Sequence, residues 1–118
     1  MSAGGDAEHL FAGLRVADLA VAREFYERLL GRPPDLVPNR TEAAWRLTGS
    51  GWICLYEEPG EPVGSAPTTL LVAGLDAFLA AAAARGIELG PVRTLGSGAR
   101  QSVIVDPDGN RLKAAEAG

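Results

Sequence analysis

Residues 15–31 read RVADLAVAREFYERLLG, and this stretch decides the fold of the first half of the chain. Asp18 has a side chain that caps helix N-termini, and apolar residues then recur at the spacing of one helical face. Those apolar positions are Leu19, Ala22, Phe25, Tyr26, Leu29 and Leu30. Gly31 and the two prolines that follow it at 33–34 cannot continue a helix. The pattern predicts a helix over residues 19–30 with one buried face.

The segments around this helix have the residue patterns of β-strands, and the whole order then repeats. Residues 16–19 (VADL) align with residues 72–75 (VAGL) at an offset of 56 positions. A segment rich in Pro and Gly separates the two copies. Strands are predicted at 9–16, 36–37, 43–47, 52–56, 68–72, 87–89, 92–95, 101–105 and 111–115, and a second helix at 75–85. The repeat predicts an α+β domain over 9–116, made of two βαβββ modules at 9–58 and 68–116 with a linker at 59–67.

The composition is that of one ordinary globular domain. The chain has 118 residues, of which 47% are hydrophobic and 22% charged, and its single cysteine excludes an internal disulfide. The net charge is −4 and the basic residues are scattered, so binding to nucleic acid is not expected. No apolar run could span a bilayer, and residues 1–8, predicted as a flexible tail, lack the pattern of a signal peptide. We therefore expect no membrane partner and a cytoplasmic location.

A second motif lies near the C-terminus, where residues 106–110 read DPDGN, a sequence typical of a tight turn. Together with the repeat, this turn resembles the vicinal oxygen chelate superfamily of glyoxalase I, bleomycin-resistance proteins and extradiol dioxygenases. The other stretches that carry the resemblance are RVADL at 15–19, EFY at 24–26 and LLG at 29–31. The resemblance covers residues 9–116. It implies that the two modules form a curved, half-open mixed sheet with the helices on its outer face.

Metal-dependent members of that superfamily carry His and Glu ligands on the first and last strands of each module. Motif spacing places the four corresponding positions at Phe11, Cys54, Pro67 and Lys113. Phe and Pro offer no ligating side-chain atom, the Lys is cationic, and one thiolate does not make a site. The only histidine, His9, lies at the junction with the tail and is not expected to be a ligand. We therefore expect no metal, no cofactor and no catalytic residue.

Strand alternation predicts which side chains share the concave face of the sheet. Trp52, Cys54 and Tyr56 alternate onto one face of their strand, and Gly13, between two inward positions of the first strand, is expected to leave room for a ligand. The predicted ligand-binding residues are Phe11, Arg15, Trp45, Trp52, Cys54, Tyr56, Arg111 and Lys113. An apolar, aromatic cup with a few polar groups is typical of a site for a flat organic molecule.

Within the superfamily, the chain is most similar to the bleomycin-resistance branch, whose members sequester a drug as dimers. The resemblance implies a homodimer that binds a small aromatic or peptide antibiotic and confers resistance by sequestration. The acidic residues Glu57, Glu58 and Glu61 are expected at the rim of the cup, where they would attract a cationic part of the ligand. Two alternatives stay open: a glyoxalase- or dioxygenase-like enzyme with relocated metal ligands, and a non-catalytic interaction or regulatory module.

Overall fold

The structure, a computed structural model, describes residues 7–60, 62–64 and 67–118, and its element order confirms the predicted repeat. The first module contains β1 (Leu10–Val16), α1 (Leu19–Leu30), β2 (Leu36–Asn39), β3 (Glu42–Arg46) and β4 (Gly51–Glu57). The second contains β5 (Pro67–Leu71), α2 (Leu75–Ala84), β6 (Arg93–Thr94), β7 (Arg100–Val105) and β8 (Arg111–Glu116). Most of the predicted tail, and positions 61, 65 and 66 of the predicted linker, lie outside the described residues.

Each module forms its own mixed four-stranded sheet. The strand orders are β1-β4-β3-β2 and β5-β8-β7-β6. In both sheets the first strand pairs with the last strand in parallel, and the remaining pairs are antiparallel. Within the part of the chain that the structure describes, the two sheets are not hydrogen-bonded to each other, and β1 and β5 are edge strands. The curved surface is therefore divided between two sheets.

Helix α1 forms as its sequence predicts. Val21 N donates to Asp18 Oδ1 at 3.2 Å, which satisfies one of the amides that a helix N-terminus leaves without a partner. The helix ends at Gly31, whose φ of 78° lies in the left-handed region that glycine adopts without strain. The second module matches the predicted strands less completely. The strand predicted at 87–89 does not form, and β6 spans only two residues.

One core lies between the helices and the convex faces of both sheets. It includes Leu14 and Leu55 from the first sheet, Leu112 from the second, and residues of both helices. Each module on its own would leave part of this apolar surface in water, so the two modules stabilise each other. No helix in the described ranges is long and apolar enough to cross a membrane.

The two motifs that carried the resemblance meet in a buried polar contact between the modules. Tyr26 Oη on α1 donates to Asp106 Oδ2 at 2.7 Å. Asn110 Nδ2 donates to the same oxygen at 2.9 Å and to Arg15 O, at the end of β1, at 3.2 Å. Burial, and then the charge of Asp106, hold the pKa of Tyr26 well above its usual range. Tyr26 therefore remains a neutral donor, and the turn at 106–110 is fixed against the first module.

Candidate functional site

The register of β1, β4 and β3 places side chains in three rows across the concave face of the first sheet. Alternate residues along a strand share a face, and paired residues on neighbouring strands lie side by side. We call them the aromatic row (Phe11, Trp52, Arg46), the small row (Gly13, Cys54, Ala44) and the polar row (Arg15, Tyr56, Glu42). The residues between them face the core, where Leu14, Ile53 and Leu55 are buried. The side chains on the concave face of this module therefore come from three strands, β1, β3 and β4.

A cavity of about 440 Å³ opens above the small row. It is lined by Phe11, Gly13, Leu36, Pro38, Glu42, Ala44, Cys54 and Tyr56. The aromatic and polar rows stand about 13 Å apart, because they are four residues apart and a strand rises about 3.3 Å per residue. The small side chains between them leave the space. Such a cavity, mostly apolar with a few polar groups, is suited to a small organic ligand.

The aromatic row presents a stacked pair. The rings of Phe11 and Trp52 have their centroids 5.2 Å apart with an interplanar angle of 20°. Trp52 Nε1 donates to His9 Nδ1 at 3.1 Å, which holds the indole at this edge of the sheet. Phe11 is 47% exposed, so one face of the pair remains open to a ligand. His9 thus contacts the candidate site through Trp52, a contact that the sequence did not predict.

In the polar row, the ring of Tyr56 lies over the small row. A Cβ built on Gly13 would lie 3.0 Å from Tyr56 Cε1, so Gly13 makes space for this ring. Gly13 also lines the cavity, so its missing side chain leaves room both for this ring and for the cavity. The Arg15 guanidinium lies 5.2 Å from the centre of the Tyr56 ring, and its Nη2 is 2.9 Å from Glu58 Oε2. These contacts fix Tyr56 as one wall of the cavity.

The acidic residues are distributed differently from the predicted rim. Glu57 Oε2 accepts a hydrogen bond from Leu19 N at 2.5 Å, so this carboxylate caps α1 on the opposite face of the sheet. Glu58 is paired with Arg15, and Glu61 lies outside the described residues. The carboxylate that does line the cavity is that of Glu42. Glu42 was not predicted because the strand was expected to begin at residue 43, although its alternation with Ala44 places it on the concave face.

Cys54 lies on the floor of the cavity with a protonated thiol. Burial, and then the negative charge of Glu42, raise the pKa of this thiol above its usual range. Its Sγ donates to Leu55 O at 3.7 Å. A nucleophilic cysteine needs a lowered pKa or an adjacent base, and this environment acts in the opposite direction. Cys54 therefore presents a small neutral surface at the floor of the cavity.

The positions that correspond to metal ligands do not fit a divalent ion. Phe11 and Cys54 lie on the first sheet. In the second sheet, Pro67 is the first residue of β5 and Lys113 lies within β8. This set offers one neutral thiol and one ammonium, while a divalent ion is held by deprotonated or neutral N, O and S donors. Within residues 7–60, 62–64 and 67–118, no group of three His, Cys, Asp or Glu side chains is placed to hold a metal.

The lining of the concave cavity does not include five of the predicted ligand-binding residues, which are Arg15, Trp45, Trp52, Arg111 and Lys113. Of these, Trp45 faces the core. Its side chain is 0% exposed, packs against Tyr26 and donates from Nε1 to Arg32 O at 2.9 Å. Trp45 pairs with a β4 residue that faces the core, and this pairing turns it away from the concave face. Arg111 and Lys113 lie on β8 of the second sheet, and neither lines the cavity of the first.

A second cleft of about 440 Å³ lies between the two modules. Its lining includes Leu10, Ala12, Leu30, Ile53, Leu70, Val72 and Phe78. Trp52 lines this cleft, whereas the lining of the concave cavity includes its stacking partner Phe11 but not Trp52 itself. The lining of this cleft also includes Arg32, Thr48, Thr68 and Thr69, so both cavities combine apolar surface with polar groups. We take the concave cavity as the candidate site because Phe11 and Cys54, two of the positions that correspond to metal ligands in the superfamily, line it.

Comparisons with known proteins agree with this fold. The model of the Glyoxalase/Bleomycin resistance protein/Dioxygenase superfamily matches residues 8–114. A glyoxalase/bleomycin resistance protein from Catenulispora acidiphila DSM 44928 is 37% identical, with a TM-score of 0.88 over 95% of this chain and 100% of that one.

More distant structures share the fold alone. A bleomycin-binding protein solved with bleomycin is 20% identical, with a TM-score of 0.76 over 95% of this chain and 100% of that one. A lactoylglutathione lyase from Agrobacterium tumefaciens is 19% identical, with a TM-score of 0.75 over 95% of each chain. No curated protein matches the sequence at a significant level. The match of the family model over nearly the whole chain, with the two βαβββ modules, shows that the chain belongs to the glyoxalase/bleomycin resistance protein/dioxygenase superfamily.

Proposed function

We propose that this protein binds a flat aromatic antibiotic without a metal and confers resistance by sequestering it. The observation that carries the proposal is the concave cavity of the first sheet, which is lined by Phe11 and Tyr56, with Trp52 stacked against Phe11. In metal-dependent members this region holds ligand side chains. Here Phe11 and Cys54 occupy two of those positions and leave an apolar surface. The fold is shared by binding proteins and enzymes, so the function has to be argued from this site.

Capture would rest on stacking and on removal of apolar surface from water. Aromatic pairs contribute about 0.5–1.5 kcal/mol beyond the burial of their area. A planar ring placed on the open face of Phe11 would extend the existing stack with Trp52, and the ring edge would lie over Cys54. The protein would act stoichiometrically, because sequestration requires only that the drug be held away from its target.

We propose further that the protein acts in the cytoplasm as a homodimer. Phe11 on the first sheet is 47% exposed, and Leu71 and Val105 on the second are 72% and 54% exposed. Apolar surface of this extent is usually covered by a partner, and a twofold contact between identical chains is the commonest solution. In such a dimer the second copy would contribute Arg111 and Lys113 to the site. Light scattering should then give twice the chain mass of 12.3 kDa.

The test is a calorimetric titration with bleomycin and with a quinoline-bearing peptide antibiotic. We expect binding of one drug per chain, a rise in Tm on drug addition and quenching of tryptophan fluorescence. Expression in a sensitive bacterium should protect growth in proportion to the amount of protein. Absence of binding for both drugs would contradict the proposal. So would one equivalent of tightly bound metal whose removal abolishes a catalytic activity, because it would favour the enzyme alternative.

A further inference from the structure

The polar row contains a carboxylate whose role is not explained by the fold. Glu42 begins β3 at the edge of the cavity, beside Tyr56 on β4. Asn39 Nδ2 donates to Glu42 Oε1 at 2.6 Å. That contact orients the carboxylate, and among the described residues Oε2 receives no hydrogen bond. Because a carboxylate has capacity for several donors, Glu42 retains acceptor capacity toward the cavity.

The other charges near this edge leave Glu42 uncompensated. Arg15 and Glu58 form an ion pair with an Nη2–Oε2 distance of 2.9 Å, so their charges largely cancel at the cavity. The side chains that line the cavity with Glu42 are apolar or neutral. The negative charge of Glu42 also reaches the floor, where it contributes to the raised pKa of the Cys54 thiol. The cavity therefore presents one net negative charge beside aromatic walls.

We propose that Glu42 makes the site selective for aromatic cations, with the ring system against Phe11 and a protonated nitrogen donating to Glu42 Oε2. The inference rests on the proposed function and names the charge class of its ligand. A charge-assisted hydrogen bond is stronger than a neutral one, and a partly enclosed cavity strengthens the attraction further. A neutral ring of the same shape would stack equally well but would leave the carboxylate without a donor.

The test uses two probes with the same tricyclic ring, 9-aminoacridine, which is a cation at mildly alkaline pH, and acridine, which is neutral there. Their dissociation constants are measured by calorimetry on the wild type, Glu42→Gln and Glu24→Gln. The Glu24→Gln variant is the matched control because it removes the same charge from an exposed position on α1. We expect the wild type and Glu24→Gln to prefer the cation by about tenfold or more. Glu42→Gln should reduce the preference to about twofold by weakening the cation alone.

A charge reversal gives a second, independent readout. Glu42→Lys should bind acridine-9-carboxylate more tightly than 9-aminoacridine, since the fixed charge at the cavity has changed sign. A Glu42→Gln variant that loses both probes equally, or that keeps the wild-type preference, would overturn the inference. Loss of the dimer in Glu42→Gln, measured by light scattering, would overturn it as well, because the carboxylate would then be pairing with a basic side chain of the second copy.

The two proposals fail in different ways. If neither acridine probe nor either antibiotic binds the wild type, the proposed function fails. If both probes bind with equal affinity, an aromatic site exists and only the cation selectivity is wrong. Loss of the cation preference in Glu24→Gln would show that the preference comes from the net charge of the protein, and this result would overturn the role of Glu42 alone.

Discussion

Replacing Trp52 by alanine separates ligand binding from folding, because the chain has a second tryptophan that serves as an internal comparison. Trp52 is half-buried, and its contacts are the stack on Phe11 and the hydrogen bond to His9. Loss of the stack costs about 0.5–1.5 kcal/mol. Loss of the partly exposed hydrogen bond costs about 0.5–1 kcal/mol. The free energy of unfolding should therefore fall by about 1–2.5 kcal/mol.

The comparison is Trp45→Ala in the core. Trp45 is fully buried, and its removal would leave a cavity and deprive Arg32 O of its donor. Truncation of a buried Trp costs about 3–5 kcal/mol. A domain of this size has a total stability of about 5–15 kcal/mol, so this variant should be strongly destabilised. The loss of stability should thus be larger for Trp45→Ala than for Trp52→Ala.

Ligand affinity should show the reverse order. Stacking of a planar heterocycle on an aromatic side chain contributes about 1–3 kcal/mol, so Trp52→Ala should weaken binding of the aromatic drug by about 5- to 150-fold. Trp52→Phe, which keeps a ring, should retain part of the affinity. Drug addition should quench the fluorescence of a Trp45→Phe variant, which contains Trp52 alone. In Trp52→Ala, the remaining emission of Trp45 should be insensitive to the drug.

The assays are calorimetric titration for affinity and chemical denaturation followed by circular dichroism for stability. Trp52→Ala that folds well and binds with unchanged affinity would refute a role for Trp52 in the site. A Trp52→Ala variant as unstable as Trp45→Ala would show that the indole is a core element, and would remove the stacking argument for drug binding.

The remaining predictions concern single contacts. Tyr26→Phe removes the buried hydrogen bond to Asp106 and should lower the free energy of unfolding by about 1.5–3 kcal/mol, measured by denaturant titration; an unchanged stability would contradict the coupling between the modules. The pKa of Asp35 is held below its ordinary value, first by the hydrogen bond from the backbone N–H of Arg46. The contribution of this carboxylate to folding stability is therefore complete above the ordinary carboxyl pKa and is lost as the pH falls through the lowered pKa. Asp35→Asn should therefore flatten the acid limb of the Tm-against-pH curve, and an unaltered limb would exclude this role. Because the pKa of Cys54 is raised, its alkylation by iodoacetamide should be slow at neutral pH and should accelerate at a higher pH than for an exposed thiol; a bound drug should slow it further.

The sequence predicted the elements that are encoded locally. The cap at Asp18, the apolar stripe and Gly31 lie within one helix, and all three work as predicted. The strand predicted at 87–89 failed because tertiary contacts determine this segment: Ile87 packs into the core, and Gly90 N donates to Val103 O at 3.1 Å. Apolar residues in a short run indicate burial, but they do not distinguish a strand from a packed connection.

Residues of the candidate site were predicted from the sequence only where alternation along a single strand determines which face a side chain occupies. Trp52 and Cys54 alternate along β4, so their shared face follows from the sequence. Trp45 lies in β3, where three successive residues are buried, so the sequence pattern does not indicate which of them face the core. The orientation of Trp45 is set by the pairing of β3 with β4. Glu57 appeared to belong to an acidic linker, but its carboxylate caps α1 across the sheet. Contacts between distant segments of this kind leave no local signal in the sequence.

Under the proposed function, the three-row arrangement would allow a binding site without metal ligands. A divalent ion in this family needs ligands from both modules to converge, so Pro67 and Lys113 alone would prevent it. A stacked ligand needs only neighbouring rows of one sheet, and the aromatic, small and polar rows all belong to β1, β3 and β4. Under the two proposals, the first module would bind the aromatic cation, while the turn of the second module at Asp106 and Asn110 holds the modules together. On this reasoning, substitutions in the rows should alter ligand preference at little cost to stability, whereas substitutions in the turn should alter stability first.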